Sequence, residues 1–238
     1  MLAEGYCFST NHPPPEDGFL LQRIIIFANG ELPRPNKIRE LLRPDDFVIC
    51  ADGGTRHALG LHLTPNLVIG DMDSIQKEQW QELQKTGVAV EIFPRDKNET
   101  DLELAIERAL ELGPREIMIV AALGGRLDQT FGNIALLTDP RLSTVDVRLD
   151  DGVEEIFFCR DQAEIQGRSG DIVSLIPWGN PVHDVQTQEL KWPLIRETLY
   201  PEKTRGISNE MLGEKAAVHI SAGILLVIHR RQTLNSNI

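Results

Sequence analysis

The chain has 238 residues, enough for one large domain or two smaller ones that each bury a core. Hydrophobic residues make up 41% and charged residues 25%, an ordinary globular balance, and the formal net charge is -12. Such a charge argues against nucleic acid or an anionic membrane as partner, since either asks for a basic face. It leaves room for an anionic nucleotide whose charge a divalent cation neutralises.

Cys7, Cys50 and Cys159 are odd in number, far apart and without metal-type spacing, which fits a reduced intracellular compartment. Residues 1–22 read as a poorly ordered lead-in carrying the triplet Pro13-Pro14-Pro15, with no basic segment and apolar core of a signal peptide. No apolar run approaches the ~20 residues needed to span a bilayer, so a cytoplasmic protein without membrane contact is expected. From there the pattern alternates. Residues 23–28 form a β-branched strand, 35–42 a short helix, 47–51 a strand, 55–61 a helix and 67–69 a strand stopped by Gly70. Residues 76–86 read as a polar-faced helix and 88–93 as a fourth strand. Over 101–112, Leu102, Ala105, Ile106, Ala109 and Leu110 fall on one helical stripe that Gly113-Pro114 ends. A strand over 116–122, a helix over 127–137 and a strand over 145–149 complete a Rossmann-like, three-layer α/β domain with a parallel sheet, spanning 23–152. Beyond Asp150-Asp151-Gly152 the texture becomes short alternating segments at 154–159, 171–176, 216–221 and 224–228. Apart from a weak helical stripe around Leu194, this predicts a small antiparallel β-sandwich over 153–238, with the boundary within 150–165.

Five loops follow the apolar runs of the first half: Asn29-Gly30, Asp52-Gly53-Gly54, Gly70-Asp71-Met72-Asp73-Ser74, the run from Asp96 to Asp101, and Gly124-Gly125-Arg126-Leu127-Asp128. Open parallel sheets bind ligands beyond the carboxyl ends of their strands, so these loops are expected to meet in one crevice. Aspartates are common in turns for local reasons. A crowd of them in one crevice, however, repels itself unless a cation intervenes. Asp71 and Asp73, one residue apart, can hold a Mg²⁺ on adjacent vertices or bridge two ions. Thr100-Asp101-Leu102-Glu103 is a capping box, and the helix start it builds favours phosphate. Lys97 can reach the same phosphates as a mobile charge, and Asp101 both complements the helix dipole and offers a metal ligand. The glycine pairs permit close approach of backbone to ligand or simply tight turns, and Arg126 with Asp128 reads either as an ion pair or as a phosphate clamp. In the second half, Trp192 beside Pro193, with Ser208-Asn209, offers an aromatic face, a hydroxyl and an amide for a flat heterocycle, although each also suits an ordinary loop.

On these motifs, together with Leu190-Lys191-Trp192-Pro193-Leu194 and Ile207-Ser208-Asn209-Glu210, the chain resembles the thiamine pyrophosphokinase (thiamine diphosphokinase) family over about residues 24–231. The resemblance implies transfer of diphosphate from ATP to the hydroxyl of thiamine, giving thiamine diphosphate and AMP. It implies a homodimer whose active site lies between the α/β part of one subunit and the β part of the other. By the same resemblance Asp71, Asp73 and Asp101 would bind Mg²⁺, and Lys97 and Thr100 would hold ATP phosphates. Gly53, Gly54, Gly125, Arg126 and Asp128 would belong to the phosphate side, with Asp52 close to the reacting groups. Trp192, Ser208 and Asn209 would lie on the substrate side. Glu189 stands where the family usually has glycine, and Gln129 where bacterial members commonly have histidine. Three rival readings are a diphosphokinase for another heterocyclic alcohol such as a hydroxymethyl pterin, a two-metal nucleotide hydrolase, and a non-catalytic nucleotide- or thiamine-binding module.

Overall fold

The structure, a computed structural model, describes residues 21–72 and 85–232. Asp73, most of the expected 76–86 helix and nearly all of the lead-in lie outside the described residues. Six strands run parallel: β1 (Arg23–Phe27), β2 (Phe47–Ala51), β3 (Leu67–Gly70), β4 (Ala89–Ile92), β5 (Glu116–Val120) and β6 (Asp146–Asp150). Their spatial order is β6-β5-β1-β2-β3-β4. All five residues of β1 are buried, because helices cover both faces of a central parallel strand. On one face α1 (Pro35–Leu41) and α2 (Thr55–Gly60) bring Ile38 and Ala58 against Ile25, Phe27, Val48 and Val68. On the other, α3 (Asp101–Glu111) lays the expected stripe of Leu102, Ala105, Ile106 and Ala109 on Ile24, Ile26 and Ile49, and α4 (Leu127–Leu136) adds Ile134. The chain winds outward from β1 to β4, then returns to place β5 beside β1. Loops leaving β1 and β5 therefore diverge, and a crevice opens between them.

The second half has the expected antiparallel texture: some of its strands extend the parallel sheet and the others form a separate sheet packed against them. Asp150-Asp151-Gly152 makes a tight reversal. Asp150 Oδ1 accepts the Gly152 amide at 2.8 Å, and Asp151 Oδ1 accepts those of Val153 and Glu154 at 2.7 Å each. β7 (Glu154–Cys159) thereby folds back onto β6, pairing Leu149 with Ile156. β14 (Leu225–Arg230), β9 (Ile172–Pro177) and β12 (Asn209–Glu210) continue the ladder, giving ten strands in one sheet. A four-stranded sheet of β11 (Glu197–Leu199), β10 (Val182–Gln188), β13 (Lys215–His219) and β8 (Gln162–Gln166) covers its far end.

Side-chain alternation decides which core each strand serves. Phe157, Cys159, Leu225 and Val227 face the second sheet and pack on Ile165, Val182, Val185 and Val218. Ile156 and Leu226 face the other way, into the core under α3 and α4. β7 and β14 thus belong to both cores. The segment around Leu194 is not helical; it is a loop between β10 and β11. β8, β10, β11 and β12 show no hydrophobic run in the sequence, because polar outward positions interrupt it.

Candidate active site

A cavity of about 550 Å³ lies at the carboxyl ends of the parallel strands. Asn29, Gly30 and Glu31 leave β1 into it, Asp52 leaves β2, and Asp71 leaves β3. Arg95, Lys97, Thr100 and Asp101 come from the passage between β4 and α3, and Gly124, Gly125 and Arg126 from the loop after β5. Five loops spread over about a hundred residues of sequence meet here because the parallel register aligns their strand ends.

Asp52 is buried at 5% exposure with φ at +41°, a left-handed backbone unusual for a non-glycine residue. Its carbonyl accepts the Thr55 hydroxyl at 2.8 Å, which ties the turn to the start of α2. Lys97 Nζ stands 2.8 Å from Asp101 Oδ1, so a cation and a carboxylate face each other at the cavity wall. The Thr100 hydroxyl accepts the Glu103 amide at 3.2 Å and caps α3, leaving the other amides of its first turn at the crevice.

Several residues of the site carry no signature in sequence. Arg56 donates to the Asn29 side chain, to Asn29 O at 3.2 Å and to Gly30 O at 3.1 Å. His57 Nε2 donates to the same Gly30 carbonyl at 3.0 Å; burial lowers its pKa, the Gly30 bond opposes that, and the Arg56 charge adds to the lowering. Together they hold the β1 loop at the switch point. Glu31 Oε1 accepts the Gly125 amide at 3.1 Å, and a Cβ on Gly124 would stand only 2.8 Å from Glu31 Cδ. Gly124 is thus crowded by a side chain arriving from 93 residues away in sequence, whereas Gly125 has open space around it and is favoured there by its φ of +66°. Asn133 on α4 donates to Ala122 O at 2.7 Å from the same wall.

The expected phosphate-side residues separate on inspection. Gly125 and Arg126 line the cavity, whereas Gly53 and Gly54 face inward, Gly53 against the Asn29 side chain and Gly54 against Phe27 O. Asp128 lies outside the lining. It pairs with Arg126, Nε to Oδ1 at 3.1 Å, and this bond lowers the Asp128 pKa and raises that of Arg126. Trp192, Ser208 and Asn209 belong to the sandwich and do not line this cavity. Trp192 is exposed, while Asn209 is buried with its amide bonded to the Trp192 main chain. Of the three expected metal ligands, Asp71 and Asp101 share the cavity and Asp73 lies outside the described residues. Among the described residues no three His, Cys, Asp or Glu side chains gather closely enough to hold an ion. A second cavity, about 460 Å³, is bounded by α1 and the seam with the sandwich; there Lys37 pairs with Glu40 and Arg231 with Asp150.

A crevice with acidic, basic and glycine-rich loops at the switch point of a doubly wound sheet, joined to a β-sandwich, defines a two-part α/β enzyme that handles a small ligand. Residues 38–149 match the family model described as the thiamin pyrophosphokinase catalytic domain, and residues 161–225 match its vitamin B1 binding domain. The chain is 31% identical over 182 residues to the thiamine pyrophosphokinase of Bacillus subtilis (strain 168), covering 76% of this chain and 85% of that one. It is 28% identical over 215 residues to thiamine pyrophosphokinase 1 of Oryza sativa subsp. japonica, covering 78% and 79%. The crystal structure of the Bacillus subtilis thiamine pyrophosphokinase superposes with a TM-score of 0.81 at 28% identity, covering 89% of this chain and all of that one. The chain belongs to the thiamine pyrophosphokinase family, enzymes that form thiamine diphosphate from thiamine. No helix among the described residues is long and apolar enough to cross a membrane.

Proposed function

We propose that the crevice transfers diphosphate from ATP to the hydroxyl of thiamine, with Mg²⁺, releasing AMP. The observation that carries this reading is the meeting of Asp71, Lys97, Thr100, Asp101 and the Gly124-Gly125 loop in a single cavity. Asp71 and Asp101 present hard oxygen donors, which suit Mg²⁺ rather than a softer metal. With Asp73 they would hold the ion, which when bound neutralises phosphate charge and polarises the phosphorus under attack. Lys97 is already charge-paired with Asp101, and turning its ammonium to a phosphate oxygen keeps that charge in the site. The amides at the start of α3, and Arg126 at the opposite wall, favour the phosphate chain from two sides. Positioning and charge neutralisation are the main demands of such a transfer, and this lining supplies both. Asp52 and Asp71 both line the cavity, and either carboxylate would take the alcohol proton.

The reading includes a homodimer. Leu127 and Phe131 are exposed on α4, and Ile195, Tyr200, Ile207 and Leu212 on the sandwich, so each part carries apolar surface that a second copy would cover. A cytoplasmic setting accords with Cys50 and Cys159, both buried as free thiols. The test mixes protein, ATP, Mg²⁺ and thiamine, and separates the nucleotides. AMP with thiamine diphosphate is the expected result. ADP, AMP formed equally well without acceptor, or preference for a pterin alcohol would overturn it. Light scattering should give a particle of twice the chain mass, and a monomer would remove the shared site.

A further inference from the structure

Trp192 is 50% exposed in the segment matched by the vitamin B1 binding domain. A large ring facing solvent forgoes burial energy, so its loop would ordinarily turn it inward. Here the loop cannot turn, because its main chain is tied on both sides of the ring. Asn209, 4% exposed, accepts the Trp192 amide through Oδ1 at 3.0 Å and donates through Nδ2 to the Trp192 carbonyl at 2.7 Å. The same Oδ1 accepts the Glu210 amide at 2.9 Å. Two residues beyond the ring, Thr187 Oγ1 accepts the Leu194 amide at 2.8 Å and the Thr187 amide donates to Leu194 O at 3.0 Å. Lys191 completes the arrangement. Its ammonium lies 5.0 Å from the indole centroid over one face, and Glu210 holds it there at 2.9 Å.

Asn209 thus spends its amide on main-chain groups and is sealed from solvent. The residue that remains able to meet a ligand is Trp192, half exposed and with the Lys191 ammonium over its ring. We propose that Asn209 and Thr187 are positioning residues: they hold the Trp192 indole as a stacking platform for a flat heteroaromatic ring of thiamine, without touching it themselves. This rests on thiamine as the acceptor, as set out above.

The test uses Asn209→Ala, Thr187→Val, Trp192→Ala and the Asn209→Ala/Trp192→Ala double variant in the full chain. Each single variant should raise the KM for thiamine about fivefold to tenfold, the size of a lost aromatic contact, with kcat and the KM for ATP within about twofold. If Asn209 acts through the ring, the double variant is no worse than Trp192→Ala alone. Unchanged thiamine KM in Asn209→Ala and Thr187→Val would overturn the proposal, and so would effects of Asn209 and Trp192 that multiply. Should Asn209→Ala fail to fold, Thr187→Val, close in shape and lacking only the acceptor, decides the matter. Thiamine affinity is read in parallel by quenching of tryptophan fluorescence. Wild type that binds thiamine without forming AMP would sink the diphosphate transfer, while the platform still stands or falls on the variants' affinities.

Discussion

Replacing Glu155 by glutamine should cost the fold roughly 3 kcal/mol at neutral pH, and the cost should shrink in acid. Glu155 on β7 sits at the seam between the two cores. His229 on β14, with no solvent exposure, reaches Glu155 Oε2 through Nδ1 at 3.2 Å and Asp171 Oδ2 through Nε2 at 3.1 Å. Arg148 donates to Glu155 Oε1 at 2.9 Å, and Arg231 stands 4.0 Å from Oε2 while gripping Asp150. Burial alone would raise the Glu155 carboxyl; the His229 bond and the Arg148 and Arg231 charges outweigh it and bring it from 4.5 down to about 2. At about 1.4 kcal/mol for each tenfold change in ionisation constant, that gap is worth roughly 3 kcal/mol.

The folded value lies below the unfolded one, so the contribution is complete above about pH 5 and is lost as pH falls through about 2. By the same linkage roughly 1 kcal/mol remains at pH 3. Asp150, which burial raises despite Arg231, titrates in both proteins and largely cancels in the comparison. Urea unfolding of wild type and Glu155→Gln at pH 7 and pH 3, with equal slopes, measures the difference directly. A difference below about 1 kcal/mol at pH 7, or one that is the same at both pH values, would refute the assignment. The consequence reaches the substrate side, because the Asp171 carbonyl accepts the Met211 amide at 2.8 Å, two residues from Asn209.

Three further outcomes follow from the crevice. Gly54→Ala would put a Cβ 2.0 Å from Phe27 O, a clash between main-chain elements that neither can relieve. It should lower stability by about 2 kcal/mol or more, and an unchanged melting temperature would contradict the packing. Lys97→Met should lower kcat/KM by at least about a hundredfold with no loss of melting temperature, and near-normal turnover would remove Lys97 from the phosphate side. Asp71→Asn should likewise lose about a hundredfold or more of turnover while remaining folded, and a variant with wild-type activity and wild-type Mg²⁺ dependence would end the metal role.

Much of the site was legible because its placement follows from pattern. Each apolar run that stops at an acidic or glycine-bearing loop reads as a strand with its carboxyl end there, and parallel strands align those ends. Thr100 and Glu103 announced the start of α3 for the same reason, since a cap and its amide lie three residues apart. Glu31, Arg56 and Asn133 left no such trace. Their partners are main-chain groups 11 to 94 residues away, and no local spacing encodes a bond to the backbone of a distant loop. Asn209 also carries a role that its residue type does not reveal: burial ties its side-chain amide to the Trp192 main chain.

What the chain determines by itself is therefore local and periodic: which segments bury both faces, where helices begin, and which charged side chains stand at strand ends. The tertiary structure alone decided that β7 folds back on β6 and joins strands from both halves in one ten-stranded sheet beside a separate four-stranded one. It also decided which polar side chains are spent holding loops and which remain to meet a ligand. The reason is physical. Burial periodicity and capping act between neighbours in sequence, whereas register and side-chain-to-backbone bonds exist only once distant strands are side by side.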